Sequence, residues 1–407
     1  MKILLYTLNF WPEPTGCGKL AGEMAEWLSA RGHQIRVITA PPYYPAWRVL
    51  PPYRAVRYQK EWLGKVPVWR CPLWVPAQKS GWRRILHLAS FAASSLPLLL
   101  AQMIWRPDVI MAFEPTLMCA PAVIAMGSIT KIKTWLNVKD LEMDAAFDLN
   151  LLPKGPVRKF AAAWERWILR RFMRISTISA SMQSRLEQKS NRSVLLLPDW
   201  TDVEAIHPLS AKRMEFRNAM GIDNNAFVVL YSGNIGEKQG VEIIARAAQR
   251  LAPAPGIMFL ICGAGAGLPA FARSVRGLKN VILRDLVPAK EFNLLLNLAD
   301  LHLLPQKAQA TELVMPSKLL NILAAGGMVV ATANSTSEVG RVVQAAGGLV
   351  VASEDDAALA SAIQIIAEWP LQRRNEIRNL ARSHAERYFS RDAILGQYER
   401  KLHELIQ

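Results

Sequence analysis

The residues best suited to chemistry lie in loops that combine glycine with a lysine, a serine or a carboxylate. The most informative motif is TELVMPSKLLNILAAGG at residues 311–327. It predicts Glu312 in a loop and then a helix whose first residues, Ser317 and Lys318, lie beside the free amide groups of the helix start. A hydroxyl, an ammonium and amides together suit a nucleotide diphosphate, and Asn321, one turn along, could hydrogen-bond a ribose. The plainer interpretation is an ordinary capped helix with a solvated lysine.

Two further loops place glycines after predicted strands. In SGNIGEKQG, residues 232–240, Gly233 makes room for a ligand and Lys238 can put a positive charge over a diphosphate. We assign Asn234 to the same ligand. A Gly-rich strand end with a solvated lysine is the alternative. The third loop, CGAGAG at 262–267, is a weaker signal, because a tight connection explains it equally well.

The loop PEPTGCGK, residues 12–19, follows the first predicted strand. Gly16 and Gly18 would let the backbone approach a bound group, and the next helix would offer amides to a phosphate. Ala21 stands where the third glycine of a GxGxxG fingerprint would be, so a dinucleotide cofactor is not favoured. An anion or sugar contact is the favoured interpretation, with a ligand-free tight turn as the alternative.

A carboxylate follows the strand pattern TWLNV. Asp140 lies just after it, with Glu142 and Asp144 nearby. A carboxylate at the carboxyl end of a strand is well placed to act on a substrate hydroxyl. A solvated acidic turn fits the same residues.

Parallel strands must position these loops. Residues 2–6 and 35–39 predict strands on either side of a helix, and such a βαβ unit implies a doubly wound sheet. A second βαβ series opens at residue 227. The predicted fold class is therefore α/β, with ligands expected outside the carboxyl ends of the strands. The predicted domains are residues 1–200 and 201–385, followed by a last helical segment at 386–407.

Composition fits a globular protein with two cores. Of 407 residues, 51% are hydrophobic and 20% are charged, which excludes a disordered or low-complexity chain. The four cysteines are widely spread, with no metal-ligand spacing, as expected for reduced thiols in the cytoplasm. The first residues lack the long apolar core of a signal peptide and predict a buried strand instead.

Positive charge is concentrated in the first half of the chain. Residues 1–200 hold 27 Lys and Arg against 13 Asp and Glu, while the net charge of the whole chain is +16. The same half contains all the tryptophans except Trp369. Trp beside Lys and Arg is typical of surfaces that meet anionic lipid headgroups. We therefore predict a membrane surface as partner and no nucleic acid, with a merely solvated basic face as the alternative.

Two segments of this half stand out. Residues 41–82, rich in Pro, Tyr, Trp and Arg, predict an irregular excursion from the sheet. Residues 85–105 form the longest apolar stretch, with Pro97 near its middle. A helix that covers the sheet is the favoured interpretation. A helix partly immersed at the bilayer interface and a transmembrane helix are the alternatives.

With these motifs in view, the chain resembles the retaining GT-B glycosyltransferases of the family 4 type over nearly its whole length. PEPTGCGK, LYSGNIGEKQG, ICGAG and the PSK helix carry the resemblance in order and spacing. It implies two facing Rossmann-like domains, an N-terminal one for the acceptor and a C-terminal one for the nucleotide sugar. It also implies a site in the cleft and a last helix that crosses back to the first domain.

Residue by residue, the resemblance implies roles for the motifs. The residues that would bind the donor are Gly233, Asn234, Lys238, Ser317, Lys318 and Asn321. Gly16 and Gly18 would lie close to the reacting groups, while Asp140 and Glu312 would act in catalysis. The chain departs from the family's paired glutamates, because it has Leu313, beside Glu312, and Asn321 at those positions.

The resemblance further implies a metal-independent enzyme of exopolysaccharide biosynthesis without a cofactor. Its expected donor is GDP-fucose, with a UDP-sugar as the alternative. Its expected acceptor is a sugar linked to undecaprenyl diphosphate, reached from the cytoplasmic face of the membrane. An epimerase-type GT-B enzyme and a non-catalytic scaffold of the assembly are the rival interpretations.

Overall fold

The computed structural model describes residues 1–14, 16–77, 81–113, 117–141, 155–209, 213–236, 239–307 and 316–407. The chain forms two compact units. Unit 1 consists of Met1–Asp199 with Leu395–Gln407, and unit 2 of Trp200–Ile394.

Unit 1 is built on a sheet in the order β3-β4-β2-β1-β5-β6-β7-β8. Its strands are β1 (Lys2–Tyr6), β2 (Gln34–Thr39), β3 (Gln59–Leu63), β4 (Val66–Arg70), β5 (Val109–Phe113), β6 (Lys133–Val138), β7 (Arg174–Thr177) and β8 (Leu195–Leu196). The helices in the described part of residues 1–199 are α1 (Gly16–Ala30), α2 (Gly81–Trp105), α3 (Ala120–Thr130), α4 (Pro156–Arg171) and α5 (Ala180–Ser190). β1 pairs in parallel with both β2 and β5, so the chain winds away from it in two directions. The switch point of this sheet therefore lies between β1 and β5.

Unit 2 has a fully parallel sheet in the order β11-β10-β9-β12-β13-β14. Its strands are β9 (Phe227–Asn234), β10 (Ile257–Ala264), β11 (Val281–Arg284), β12 (Leu301–Pro305), β13 (Val329–Thr332) and β14 (Leu349–Val351). The helices that follow along the chain are α6 (Arg213–Ala219), α7 (Glu242–Arg250), α8 (Leu268–Ser274), α9 (Phe292–Leu298), α10 (Ser317–Ala324), α11 (Glu338–Ala345), α12 (Asp356–Glu368), α13 (Leu371–Phe389) and α14 (Arg391–Ile406). Here the switch point lies between β9 and β12. The predicted α/β class with two doubly wound sheets is confirmed.

The last residues of the chain belong to unit 1. On α14, the Tyr398 ring stacks on Trp135 with centroids 5.8 Å apart, and its hydroxyl accepts a hydrogen bond of 2.8 Å from Asn137 Nδ2. Both Trp135 and Tyr398 are completely buried. Residues 395–407 thus complete the core of unit 1.

The expected irregular segment 41–82 contains a β-hairpin, so that expectation is wrong for residues 59–70. β3 pairs antiparallel with β4 from Leu63 opposite Val66, across a two-residue connection in which Gly64 has a φ of 55°. β4 in turn extends the sheet by pairing in parallel with β2. β3 is an edge strand in which charged Lys60 and Glu61 interrupt the apolar residues, so it lacks the apolar run that predicts a buried strand.

Helix α2 covers the sheet with one polar stripe that is buried. On this stripe His87 Nδ1 lies 2.7 Å from the Trp74 carbonyl, and the Ser95 hydroxyl lies 2.5 Å from the Tyr6 hydroxyl. Gln102 Oε1 accepts a hydrogen bond of 3.0 Å from Arg36. In the described part of the chain, residues 82–105 form one helix long and apolar enough to cross a membrane, but these hydrogen bonds fix it to unit 1.

Candidate functional site

The strongest candidate site lies at the switch point of unit 2. β9 and β12 are neighbours there, and helix α10 follows β12 along the chain. Pro316 precedes α10 in extended conformation, and as the N-cap residue it gives the helix start no side-chain hydrogen bond. Ser317 is exposed at the first helical position. This helix start can therefore offer its hydroxyl and amide groups to an anion.

Lys318 connects α10 to the end of β9. Its ammonium lies 3.3 Å from the Tyr231 hydroxyl and 4.4 Å from the centroid of the Tyr231 ring. The Tyr231 hydroxyl in turn donates a 2.6 Å hydrogen bond to the Asn234 carbonyl. Burial lowers the pKa of Lys318 from 10.5 to about 8. The described part of unit 2 thus holds a half-buried ammonium with an aromatic ring beneath it.

Gly233 lies directly beside this ammonium. A Cβ added at Gly233 would lie 3.5 Å from Lys318 Nζ, and the φ of Gly233 is 141°, a conformation that side chains rarely adopt. The predicted donor residues Gly233, Asn234, Ser317 and Lys318 are therefore brought together by the ends of β9 and α10. Lys238 and Glu312 lie outside the described residues, so their roles stay predictions.

The glycines of CGAGAG have a structural reason of their own. A Cβ at Gly263 would lie 2.5 Å from the Gly233 carbonyl oxygen, and one at Gly265 would lie 2.4 Å from the Ile235 carbonyl oxygen. The backbones of the two loops also hydrogen-bond, since the Ile235 amide donates to the Ala264 carbonyl at 2.8 Å. The ends of β9 and β10 thus form one surface of closely packed backbone. The sequence did not indicate this mutual packing.

Asn321 lies one turn after Lys318, as predicted. Its Oδ1 accepts a 2.7 Å hydrogen bond from the Thr201 hydroxyl, at the start of unit 2. The side-chain oxygen of Asn321 is therefore already hydrogen-bonded within unit 2. The contact of Asn321 to a ribose stays a prediction, and its amide nitrogen would make that contact.

Asp140 is exposed just after β6 in unit 1, near the start of α1. Burial raises the pKa of the Cys17 thiol to about 12, and the negative charge of Asp140 adds to this effect. Burial likewise raises the pKa of Tyr44, again with a contribution from Asp140. These effects indicate that Asp140 lies near the start of α1, where Gly16 and Gly18 are found. Glu142 and Asp144 lie outside the described residues.

Glu13, to which the sequence motif assigns no role, organises this loop. Its Oε1 accepts hydrogen bonds of 3.0 Å from the amides of both Tyr43 and Tyr44, and Oε2 accepts one of 2.9 Å from Asn9. A Cβ at Gly18 would lie 2.6 Å from Glu13 Oε2. Burial raises the pKa of Glu13. The Glu13 side chain therefore occupies the space beside Gly18, and its hydrogen bonds connect the loop after β1 to the segment after β2.

An ion pair between a buried lysine and a half-buried aspartate fixes the chain before Asp140. Lys139 is buried, and its ammonium lies 2.5 Å from Asp199 Oδ1. Burial disfavours the charged lysine, but the nearby carboxylate outweighs it, so the pKa of Lys139 is raised. Sequence reasoning could not pair residues that lie 60 positions apart.

One group of side chains in the described residues could hold a metal ion. His33, Glu399 and His403 have ligand atoms within 4.8 Å of one another in unit 1. Arg31 Nε already donates a 2.7 Å hydrogen bond to Glu399, and His33 Nε2 lies 2.9 Å from the same carboxylate. The carboxylate therefore has its partners within the protein, and this group joins α14 to the end of α1.

Comparisons with known proteins identify the family of the chain. Residues 15–200 match the family Glycosyl transferase 4-like domain, and residues 226–368 match Glycosyl transferases group 1. The chain is 41% identical over 406 residues to the proposed colanic acid biosynthesis glycosyl transferase WcaI of Escherichia coli (strain K12), across 98% of each chain.

Solved structures show the same fold. Sucrose-phosphate synthase from Thermosynechococcus elongatus is similar with a TM-score of 0.78 at 15% identity, over 100% of this chain and 99% of that one. Anabaena HepE in complex with UDP and glucose is similar with a TM-score of 0.71 at 15% identity, over 99% of this chain and 100% of that one. At these identities the similarity concerns the fold alone.

Proposed function

The chain belongs to glycosyltransferase family 4, whose members have the GT-B fold, and on that premise we propose that it transfers fucose from GDP-fucose to a lipid-linked sugar acceptor in colanic acid biosynthesis. The 41% identity to WcaI across 98% of both chains supports the pathway. Fucose follows from the motif resemblance. HepE, whose structure holds UDP and glucose, makes a UDP-sugar the alternative donor.

The single observation behind a donor site in unit 2 is the ammonium of Lys318 against Gly233 at the switch point. When the bond between the sugar and the diphosphate breaks, its electron pair stays on the nucleoside diphosphate. The growing negative charge needs fixed positive partners. Lys318, the amides at the start of α10 and, by prediction, Lys238 supply them without requiring a divalent cation.

Unit 1 is proposed to bind the acceptor. Asp140 is exposed at the carboxyl end of β6, beside the start of α1. A carboxylate there can accept a hydrogen bond from a sugar hydroxyl and orient it. Transfer is proposed to retain the anomeric configuration, as is typical of the family. The enzyme is proposed to work peripherally on the cytoplasmic face of the cell membrane, where a lipid-linked acceptor would be found.

Titration calorimetry without added metal tests the donor site. GDP, GDP-fucose, UDP and UDP-glucose are titrated into the wild type, Lys318→Ala and the control Lys290→Ala, whose lysine is exposed elsewhere in unit 2. We expect GDP ligands to bind the wild type and the control alike. We expect Lys318→Ala to bind about 30-fold more weakly, because a hydrogen bond to a charged group contributes about 2 kcal/mol.

The outcomes separate the interpretations. Selective binding of UDP ligands would keep the site and exclude GDP-fucose as donor. Equal losses in both variants would remove Lys318 from the site. No nucleotide binding by the wild type, with or without EDTA or Mg²⁺, would exclude the enzyme and favour a non-catalytic scaffold.

A further inference from the structure

Helix α2 has an exposed apolar side opposite the stripe that packs on the sheet. His87, Phe91, Ser95, Leu99 and Gln102 are its buried residues. At 3.6 residues per turn, Trp82, Leu86, Leu96, Leu100 and Ile104 fall on the opposite side of the helix, and all five are exposed. Ile104 is 90% exposed. Such a row is unusual on a surface that meets only water.

Helix α4 presents a second exposed row, made of aromatic rings. Phe160, which is 71% exposed, stacks on Trp164 with centroids 6.5 Å apart, and Trp164 stacks on Trp167 at 5.3 Å. The Arg171 guanidinium lies 5.6 Å from the Trp167 ring. Stacked tryptophans bordered by a guanidinium are typical of proteins at the level of lipid headgroups.

Helix α3 joins these two rows into one surface. It contacts both α2 and α4, so the three helices are neighbours on unit 1. Its Ile129 is 75% exposed. The apolar face is defined here as the exposed rows of α2 and α4 together with Ile129.

Charge on the same helices has one sign. α2 and α3 contain no Asp or Glu. The single carboxylate of α4, Glu165, is buried and receives the Lys189 ammonium at 2.9 Å. The basic residues of the three helices are Arg83, Arg84, Arg158, Lys159, Arg166, Arg170 and Arg171. The apolar face therefore has cationic borders and no exposed carboxylate on these helices.

From this combination we propose that the apolar face docks unit 1 onto an anionic phospholipid bilayer. The aromatic and aliphatic side chains enter the boundary between headgroups and acyl chains, and the lysines and arginines meet the phosphates. The proposal rests on the proposed function only in that a lipid-linked acceptor would be presented at such a bilayer. It specifies which surface of the protein is in contact with the membrane and which lipid charge attracts it.

The contacts of α2 favour docking over insertion across the bilayer. Leaving unit 1 would break the hydrogen bonds of Ser95 and Gln102 and expose the buried side of the helix. A bilayer also fits better than an acidic protein partner. Mobile lipids can satisfy cations spread over two helices, whereas a protein would need carboxylates at matching positions.

Flotation of the full-length protein with vesicles tests the proposal. One vesicle type contains phosphatidylcholine alone, and the other contains phosphatidylcholine with phosphatidylglycerol. We expect partitioning onto the anionic vesicles that weakens as salt is added.

Two double variants probe the two components of the face. Lys159→Gln/Arg166→Gln is expected to lower the partition coefficient on anionic vesicles about 30-fold. Ile104→Ser/Phe160→Ser is expected to lower it at least about tenfold, because two inserted apolar side chains are removed. The four positions are exposed, so the fold should be retained, and circular dichroism checks this.

Matched controls lie in unit 2. Arg273→Gln/Arg276→Gln removes two exposed arginines, and Ile365→Ser/Leu371→Ser removes two exposed aliphatic side chains. Both controls are expected to bind vesicles as the wild type does. Nucleotide titration of every variant without vesicles is expected to be unchanged, since the substituted residues lie outside the donor site.

Each contrary outcome has a distinct meaning. Controls that lose binding as much as the test variants, or wild type that binds both vesicle types equally or neither, would overturn the proposal. A wild-type dimer that the Ile104→Ser/Phe160→Ser variant dissociates would make the face a protein interface and also overturn it. Vesicle binding by a protein that binds no nucleotide would leave the docking face standing and sink the proposed function instead.

Discussion

Replacing Lys318 with methionine should make the protein more stable and a poorer nucleotide binder. Burial lowers the pKa of this lysine from 10.5 to about 8. At 1.36 kcal/mol per pH unit, that difference corresponds to about 3 kcal/mol of unfavourable free energy for holding the charge in unit 2. The cation–π interaction with the Tyr231 ring beneath the ammonium offsets about 1 kcal/mol of this cost. We therefore expect Lys318→Met to raise the free energy of unfolding by about 2 kcal/mol at pH 7.

The size of this stabilisation depends on pH in a defined way. Below pH 8 the lysine is protonated in both the folded and the unfolded chain, so the full cost is present. Between about pH 8 and 10.5 the folded protein releases the proton while the unfolded chain keeps it, and the wild type gains stability. The advantage of Lys318→Met should therefore shrink as pH rises through this window.

Thermal denaturation and calorimetry measure the two consequences. For the roughly 195 residues of unit 2, about 2 kcal/mol corresponds to a Tm increase of about 4–8 °C at pH 7. The same variant should bind nucleotide about 30-fold more weakly. Lys290→Met is the control and should change neither quantity. A Lys318→Met protein with unchanged Tm and unchanged affinity would refute the reasoning, because it would make Lys318 an ordinary solvated lysine.

Three further predictions address the rest of the site. Nucleotide affinity of the wild type should fall about tenfold between pH 7 and pH 9, because Lys318 of the nucleotide-free protein loses its proton around pH 8. The affinity of Lys318→Met should not change over this range. A parallel decline in both proteins would contradict this prediction. Asp140→Asn should lower kcat at least about 100-fold and leave the nucleotide Kd unchanged in calorimetry. A weaker Kd with a normal kcat would show that Asp140 takes no part in the reaction. Gly263→Ala should lower Tm by several degrees and weaken nucleotide binding, since its Cβ would lie 2.5 Å from the Gly233 carbonyl oxygen. Gly396→Ala, whose Cβ would meet only Arg400 at 3.8 Å, is its control, and equal Tm values for the two variants would contradict the close packing of the loops.

Sequence patterns located the donor candidates because the carboxyl ends of parallel strands meet at one edge of a sheet. That rule brings Gly233 and Lys318 together, although they lie on different motifs. It does not reveal that Lys318 lies over a buried Tyr231, because the depth of a side chain depends on packing between distant segments. The lowered pKa of Lys318 therefore had no signature in the sequence.

In the loop after β1 of unit 1, the sequence shows which glycine needs space but not which group fills that space. The motif PEPTGCGK indicates that Gly18 lets the backbone approach a bound group, which stays a prediction, and the side chain that lies against Gly18 in the structure is Glu13 of the same motif. The hydrogen bonds from the Tyr43 and Tyr44 amides that fix Glu13 come from another loop. Local spacing predicts that a glycine needs room, and only the tertiary structure says which group uses it.

The two sides of α2 were foreseeable in part. An apolar run with interspersed polar residues predicted a helix against the sheet or at the bilayer interface. Ser95 and Gln102 are buried and hydrogen-bonded, so the polar residues lie inside and the leucines on the opposite side lie outside. Phe91 and Leu99 are buried on the same side as these polar residues, so both sides of α2 contain apolar residues and hydropathy alone does not distinguish the two orientations.

The packing of residues 395–407 on unit 1 has a consequence for how the chain folds while it is translated. Unit 1 leaves the ribosome first, but the Tyr398 ring that covers Trp135 is made only after all of unit 2. Until then the nascent unit 1 must expose Trp135 and the Asn137 amide, with one layer of its core missing. Domains commonly fold in the order of their synthesis, yet here the unit made first is completed last. The nascent chain is therefore exposed to aggregation and to chaperones for as long as unit 2 takes to be made.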